Sequence, residues 1–215
     1  MGTRANVGFR YKEKDFLFYH HNDGGPSWLG MAVLTVCRAY EPSFMRSRVD
    51  KIKLINESRK PTENQIRHWA TAHEWDGEKL KAMLTRQALA IAKERPTWND
   101  IANDTVTLEH FLDGLNLWPD YADFIYCSSC EWAYIINLDT DKLEVYTSHY
   151  NKDGSKSSRS PKAKITGRYA AAYFDENRGR TERGATLLDE IPLKDIREIP
   201  ESALRSLTAR IDRQH

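Results

Sequence analysis

The sequence predicts an α+β fold in which two antiparallel β-hairpins share a sheet system packed with helices. Three observations predict it. Residues 3–21 alternate apolar and polar about a short polar turn, the period of a half-buried strand pair. Residues 131–150 repeat the pattern. Between and after them the apolar residues fall at helical spacing, so strands come in two groups separated by helices rather than in strict alternation with them.

The first strand is expected over 3–11, with Thr3, Ala5, Val7, Phe9 and Tyr11 on an apolar face and Arg4, Asn6, Gly8 and Arg10 opposite. Lys12-Glu13-Lys14-Asp15 reads as the turn and 16–21 as the returning strand. A turn centred on Glu13-Lys14 sets Phe9 opposite Phe18 and Val7 opposite His20 on one side, and Asn6 opposite His21 and Arg4 opposite Asp23 on the other. Asn22-Asp23-Gly24-Gly25-Pro26 is a dense turn signal. Pro26 suits a first helical position, with Gly25 or Ser27 as cap. The nearly unbroken apolar run Trp28–Val36 implies a helix buried on most sides and ending near Pro42. Residues 49–55 alternate like a strand. Helices are expected over 63–74 and 78–95, the latter stopped by Pro96, and over 97–115, closed by Gly114 and Pro119. The second hairpin runs over 131–150 and turns at Asp139-Thr140-Asp141-Lys142. Residues 151–164 carry the marked basic run and read as a mobile, solvated loop. Strands at 168–174 and, as an edge, 185–191 precede a terminal helix over 201–213. Each hairpin is too small to be stable alone, so both are expected in one sheet.

The 215 residues suit one α+β domain over 1–215, and 40% hydrophobic with 29% charged residues excludes a disordered or collagen-like chain. A formal net charge of +1 gives no general pull towards nucleic acid. No run of ~18 apolar residues predicts a membrane span, and the start lacks the basic-then-apolar pattern of a secretion signal, so a cytoplasmic location is expected.

Met1-Gly2-Thr3-Arg4, the hairpin and His21-Asn22-Asp23-Gly24-Gly25-Pro26 resemble a loose group of bacterial, phage and fungal proteins that open M-G-T-R and carry H-x-D-x-x-P before an apolar helix. Residues 131–139 and Leu143-Glu144-Val145-Tyr146 are similar again. The resemblance implies a fold unit, with no activity attached. A second likeness is to proteasome-type N-terminal nucleophile hydrolases, which begin with a Gly-Thr junction, a strand, a tight turn and a second strand. It implies Thr3 as a nucleophile whose own α-amine, freed by cleavage, acts as base. A lysine expected after the second strand of such enzymes is replaced here by His20, His21 and Asp23.

Those residues define the candidate site. Arg4, Asn6, His21 and Asp23 share one face in the assumed register, and Gly24 and Gly25 offer backbone donors before a helix, a combination suited to a carboxylate or phosphate. His20, on the apolar side, reads as a core residue. Cys127-Ser128-Ser129-Cys130 follows an apolar stretch and enters a strand, which is not the helix N-terminus that thiol redox chemistry uses. With only Cys37 besides, no structural zinc set is expected, and the cysteines read as packing groups. His68 and His73, five apart, point to different helix faces and with Trp69 and Trp75 read as core aromatics. No phosphate-binding loop, dinucleotide fingerprint, nucleophile elbow or H-E-x-x-H occurs. The function expected is therefore an interaction or regulatory protein that binds a protein partner or small anionic ligand at the first hairpin, without cofactor or metal. Nucleic acid at the 151–164 loop is the weaker partner, and an amide hydrolase using Thr3 is the alternative.

Overall fold

The computed structural model describes residues 2–56, 58–62, 64–65, 97–98, 108–127, 129–148, 167–170, 172–175 and 180–214. The fold is α+β, as expected. Strands β1 (Ala5–Tyr11), β2 (Lys14–His20), β5 (Trp132–Asn137), β6 (Lys142–Thr147) and β9 (Thr186–Pro192) form one sheet in the order β2-β1-β5-β6-β9. Both hairpins are antiparallel, and they join through a parallel β1–β5 pair in which Ala5 lies opposite Trp132 and Phe9 opposite Ile136. Two short pairs lie apart from it: β3 (Lys53–Ile55) with β4 (Leu117–Pro119), and β7 (Ala172–Asp175) with β8 (Arg180–Arg183).

The first hairpin departs from its expected register. Its turn is the two residues Lys12-Glu13, both left-handed at φ 53° and 62°, the type I′ geometry that matches strand twist. Phe9 therefore faces Phe16, Val7 faces Phe18 and Ala5 faces His20. The shift is by two residues, so every side chain keeps its face. Arg10 falls opposite Asp15 and pairs with it at 3.0 Å. Neither Lys12 nor Glu13 suits a left-handed turn by itself. The turn is held from outside: the Asp139 carboxylate accepts the Lys12 N–H at 2.7 Å and the Glu13 N–H at 2.9 Å. Gly8 is required by close approach, since a Cβ there would stand 1.9 Å from the Phe16 carbonyl oxygen.

On one face of the sheet Val7, Phe9, Phe18, Tyr134, Ile136 and Val145 are buried beneath helices. A π-type turn (Pro26–Gly30) runs into α1 (Met31–Ala39), followed by α2 (Pro42–Val49). The expectation that Trp28–Val36 is buried on most sides is corrected: only the stripe Gly30, Val33, Leu34 and Cys37, with Val36, is covered, while Ala32 and Thr35 are exposed and Trp28 is 71% exposed. An apolar run has no face of its own; the sheet touches one side of this helix and leaves Trp28 on the other. Of the strand expected over 49–55, Val49 ends α2, residues 50–52 turn out of it, and only Lys53–Ile55 is extended. Helix α3 (Leu108–Asp113) is the described part of the 97–115 prediction and ends at Gly114, φ +138°. Beyond β9, the expected sheet edge, come α4 (Leu193–Glu198), which was not foreseen, and the terminal α5 (Glu201–Gln214). The strand expected over 168–174 starts later, at Ala172, behind a turn at Gly167–Tyr169. The helices expected over 63–74 (apart from 64–65) and 78–95, and the 151–164 loop, lie outside the described residues.

The opposite face of the sheet is covered too. Leu17, Ala133, Ile135 and Tyr146 pack with Ile125, Tyr169 and Ala185, which belong to irregular segments and a 3-10 turn, Ala122–Tyr126. The central strands are thus buried on both sides, and Asn6, expected on a polar face, is fully buried.

Candidate functional site

The end of the first hairpin is assembled by close backbone contacts. The Gly24 N–H donates to the Thr3 carbonyl at 2.9 Å. A Cβ at Gly2 would come within 2.2 Å of Asn22 Oδ1, and one at Gly24 within 2.7 Å of the Ala5 Cβ. The Asn22–Gly25 turn is thereby drawn back onto the start of β1. Asp23 takes the left-handed conformation at φ 55°, which aspartate tolerates better than most residues. Its carbonyl and that of Gly25 accept the N–H groups of Leu29, Trp28 and Gly30, and Pro26 occupies the first helical position.

The residues expected to share one polar face are divided by the sheet. Asn6 lies opposite Tyr19, donating its Nδ2 to the Tyr121 carbonyl at 3.1 Å, with its Oδ1 unpartnered. His21, exposed, shares a 2.7 Å hydrogen bond between its Nδ1 and the Tyr19 hydroxyl. Asp23 belongs with the other face, beside His20. Arg4 and Asp23 make no ion pair; instead the Arg4 carbonyl accepts the N–H groups of Glu131 and Trp132 and fixes the start of the parallel pair. The expected Arg4–Asp23 and Asn6–His21 pairings are therefore corrected, and the two-residue shift of the turn is their physical reason. Gly24, whose N–H serves Thr3, has no free donor left for an anion.

What the fold does build at this hairpin is a cleft of about 210 Å³ between β1–β2, α1 and the first turn of α3. Val7, Leu29, Val33 and Val36 supply its apolar floor. Asp23 and His20 line it from the hairpin and Glu109 from α3, and Trp28 stands at its rim. Neither Asp23 nor Glu109 forms an ion pair with any described residue. Sequence reading found Asp23 but took His20 for a core residue, whereas it is half-buried in the cleft wall, and it missed Trp28 and Glu109. Helical spacing would have separated Trp28 from the Val33–Cys37 stripe; nothing local marks Glu109.

A polar network under the other face was also missed. Glu144, 3% exposed, accepts Asn137 Nδ2 at 2.6 Å, the Tyr146 hydroxyl at 2.9 Å and both terminal nitrogens of Arg168. The guanidinium lies over the Tyr169 ring at 4.9 Å and the Tyr146 ring at 5.9 Å. Burial works against the Arg168 charge, but the Glu144 carboxylate outweighs it and holds the guanidinium protonated. Burial and then the Glu144 charge push the Tyr146 phenol well above its ordinary range. Four donors saturate this carboxylate, so it has no lone pair positioned to take a proton from a substrate. It anchors the Gly167–Ala170 segment to the sheet.

Cys130 is buried and its Sγ donates to the Trp132 carbonyl at 3.2 Å; Cys37 is buried in α1. Burial raises both thiols far above their ordinary range, so both pack as small apolar groups. Among the described residues no group of three or more His, Cys, Asp or Glu side chains is placed to hold a metal, and no helix is long and apolar enough to cross a membrane. No protein-family model, curated protein or solved structure matches the chain.

Proposed function

We propose that the protein is an interaction module that docks a segment of a partner protein at the first hairpin, in the cleft between β1–β2 and α1. The observation that carries this reading is an apolar cleft with a 71% exposed tryptophan at its rim, where most other large apolar side chains among the described residues are buried. Exposed aromatic anchors beside an apolar pocket are characteristic of binding surfaces. The charged groups of the cleft, besides His20, are the carboxylates of Asp23 and Glu109, which favours a partner segment over the small anionic ligand expected from the sequence. The amide-hydrolase alternative finds less support. The Thr3 carbonyl closes the hairpin end onto Gly24, Gly2 packs on Asn22, and the residues expected around Thr3 are divided between the two faces.

The test is a displayed random-peptide library selected against the wild type and counter-selected against Ala32→Trp. Ala32 lines the cleft from the exposed side of α1, so the new ring fills the cleft without entering the core. Selection should return peptides that bind the wild type and lose most of their affinity for Ala32→Trp. Selected peptides that bind both proteins equally would reject the cleft as the docking site.

A further inference from the structure

We propose that the occupant of this cleft is an arginine or lysine side chain of the partner, its apolar stem on Val7, Val33 and Val36 and its charge met by Asp23, Glu109 and the face of Trp28. This deepens the docking reading and rests on it. The size of the cleft speaks first. At about 210 Å³ it falls below the ~300–1,000 Å³ of clefts that enclose drug-sized ligands, and suits one long side chain. Its chemistry is two-part: an apolar floor from β1 and α1, and two carboxylates from separate elements at the edge. Two carboxylates on one apolar cleft repel an anion, and neither forms an ion pair with a described residue. A cation supplies the counter-charge that both lack. Lysine and arginine combine an apolar stem with a charged head, which is the pattern of this lining. The exposed Trp28 ring adds a third element, because a cation over a tryptophan face is attracted by its quadrupole. His20 lines the cleft beside the carboxylates and has an interaction of its own.

The experiment is isothermal titration of the full chain with three probes at low and at moderate salt. The first is the blocked pentapeptide Gly-Leu-Arg-Leu-Gly, the second its citrulline counterpart, which keeps the shape and removes the charge, and the third n-butylguanidinium. The arginine peptide should bind at least about tenfold more tightly than the citrulline peptide, as for a charge-assisted contact, with an advantage that shrinks as salt rises. The double variant Asp23→Asn, Glu109→Gln should erase that advantage; Asn keeps the left-handed tolerance needed at position 23. Because the citrulline comparison changes only the ligand, it stands even if the variant folds poorly. Equal binding of the two peptides would overturn the cation reading and leave the docking module intact. n-Butylguanidinium binding as tightly as the arginine peptide would overturn the protein side chain as the source of the cation. Failure of every probe alongside cleft-dependent library peptides that lack basic residues would reject this inference alone. Failure of both experiments would reject the module as well.

Discussion

Replacing Glu144 by methionine leaves the Arg168 guanidinium, the Tyr146 hydroxyl and the Asn137 amide without their shared acceptor. Breaking a buried ion pair from one side costs about 3–5 kcal/mol. The Arg168 side chain is 27% exposed and recovers part of its hydration, which places the loss near the lower end, about 3 kcal/mol. For a chain of this size that lowers the melting temperature by about 6–12 °C, at about 2–4 °C per kcal/mol. The double variant Glu144→Met, Arg168→Met removes the stranded charge along with its partner. Swapping a buried ion pair for apolar groups of similar volume is often close to neutral, so the double variant should regain most of the loss. The assay is urea unfolding followed by circular dichroism on the wild type, both single variants and the double. Glu144→Met costing less than about 1 kcal/mol, or the two single losses simply adding, would refute the anchoring role and the strong coupling it implies.

Four further outcomes are expected. Asp139→Ala should destabilise by about 1–2 kcal/mol, because the two left-handed turn amides lose a charged acceptor. Lys12→Asn with Glu13→Gly should restore much of that loss by suiting the type I′ turn without the clasp, measured by thermal unfolding. His110 is half-buried, and burial lowers its pKa below the ordinary 6.5. The unfolded chain then binds the proton more readily, so this contribution to stability is complete above about pH 6.5 and is lost as pH falls below it. That part of the acid-side slope should disappear in His110→Gln. Finally, a nucleophilic Thr3 requires chains that begin at Thr3; the docking account expects intact-mass spectrometry to find Gly2 retained, and Thr3→Ala to leave peptide binding unchanged.

The two hairpins were legible because a buried strand writes its period into neighbouring residues: Val7 and Phe9, Trp132 and Tyr134, Leu143 and Val145. The terminal helix was legible for the same reason at a different period. The turn register was not, because Lys12-Glu13 carries none of the glycine or asparagine that marks a type I′ turn. Its stabilising partner, Asp139, lies 127 residues from Lys12. The parallel β1–β5 pairing was invisible for a related reason: nothing in either strand names the other, nor does β1 announce that the Tyr121 segment covers its second face and buries Asn6. Glu144 did leave a signal, a carboxylate between Leu143 and Val145 in a buried strand, but its meaning depends on Arg168, 24 residues further on. Asp23 was found because the turn around it is dense in glycine and proline, whereas His20 was taken for core because strand alternation put it on the apolar face. Trp28 was misplaced because an apolar run gives composition without direction.

The most direct measurement of the central claim is chemical-shift mapping with a cleft-dependent library peptide on isotope-labelled protein. Docking at the first hairpin predicts that the largest shifts fall on the amides of Leu29, Val33 and Glu109 and on the Trp28 indole N–H. The groove between β9, α4 and α5, lined by Ile191, Ile199 and Leu207, should stay still. Shifts concentrated in that second groove, with the Trp28 indole unmoved, would contradict the account.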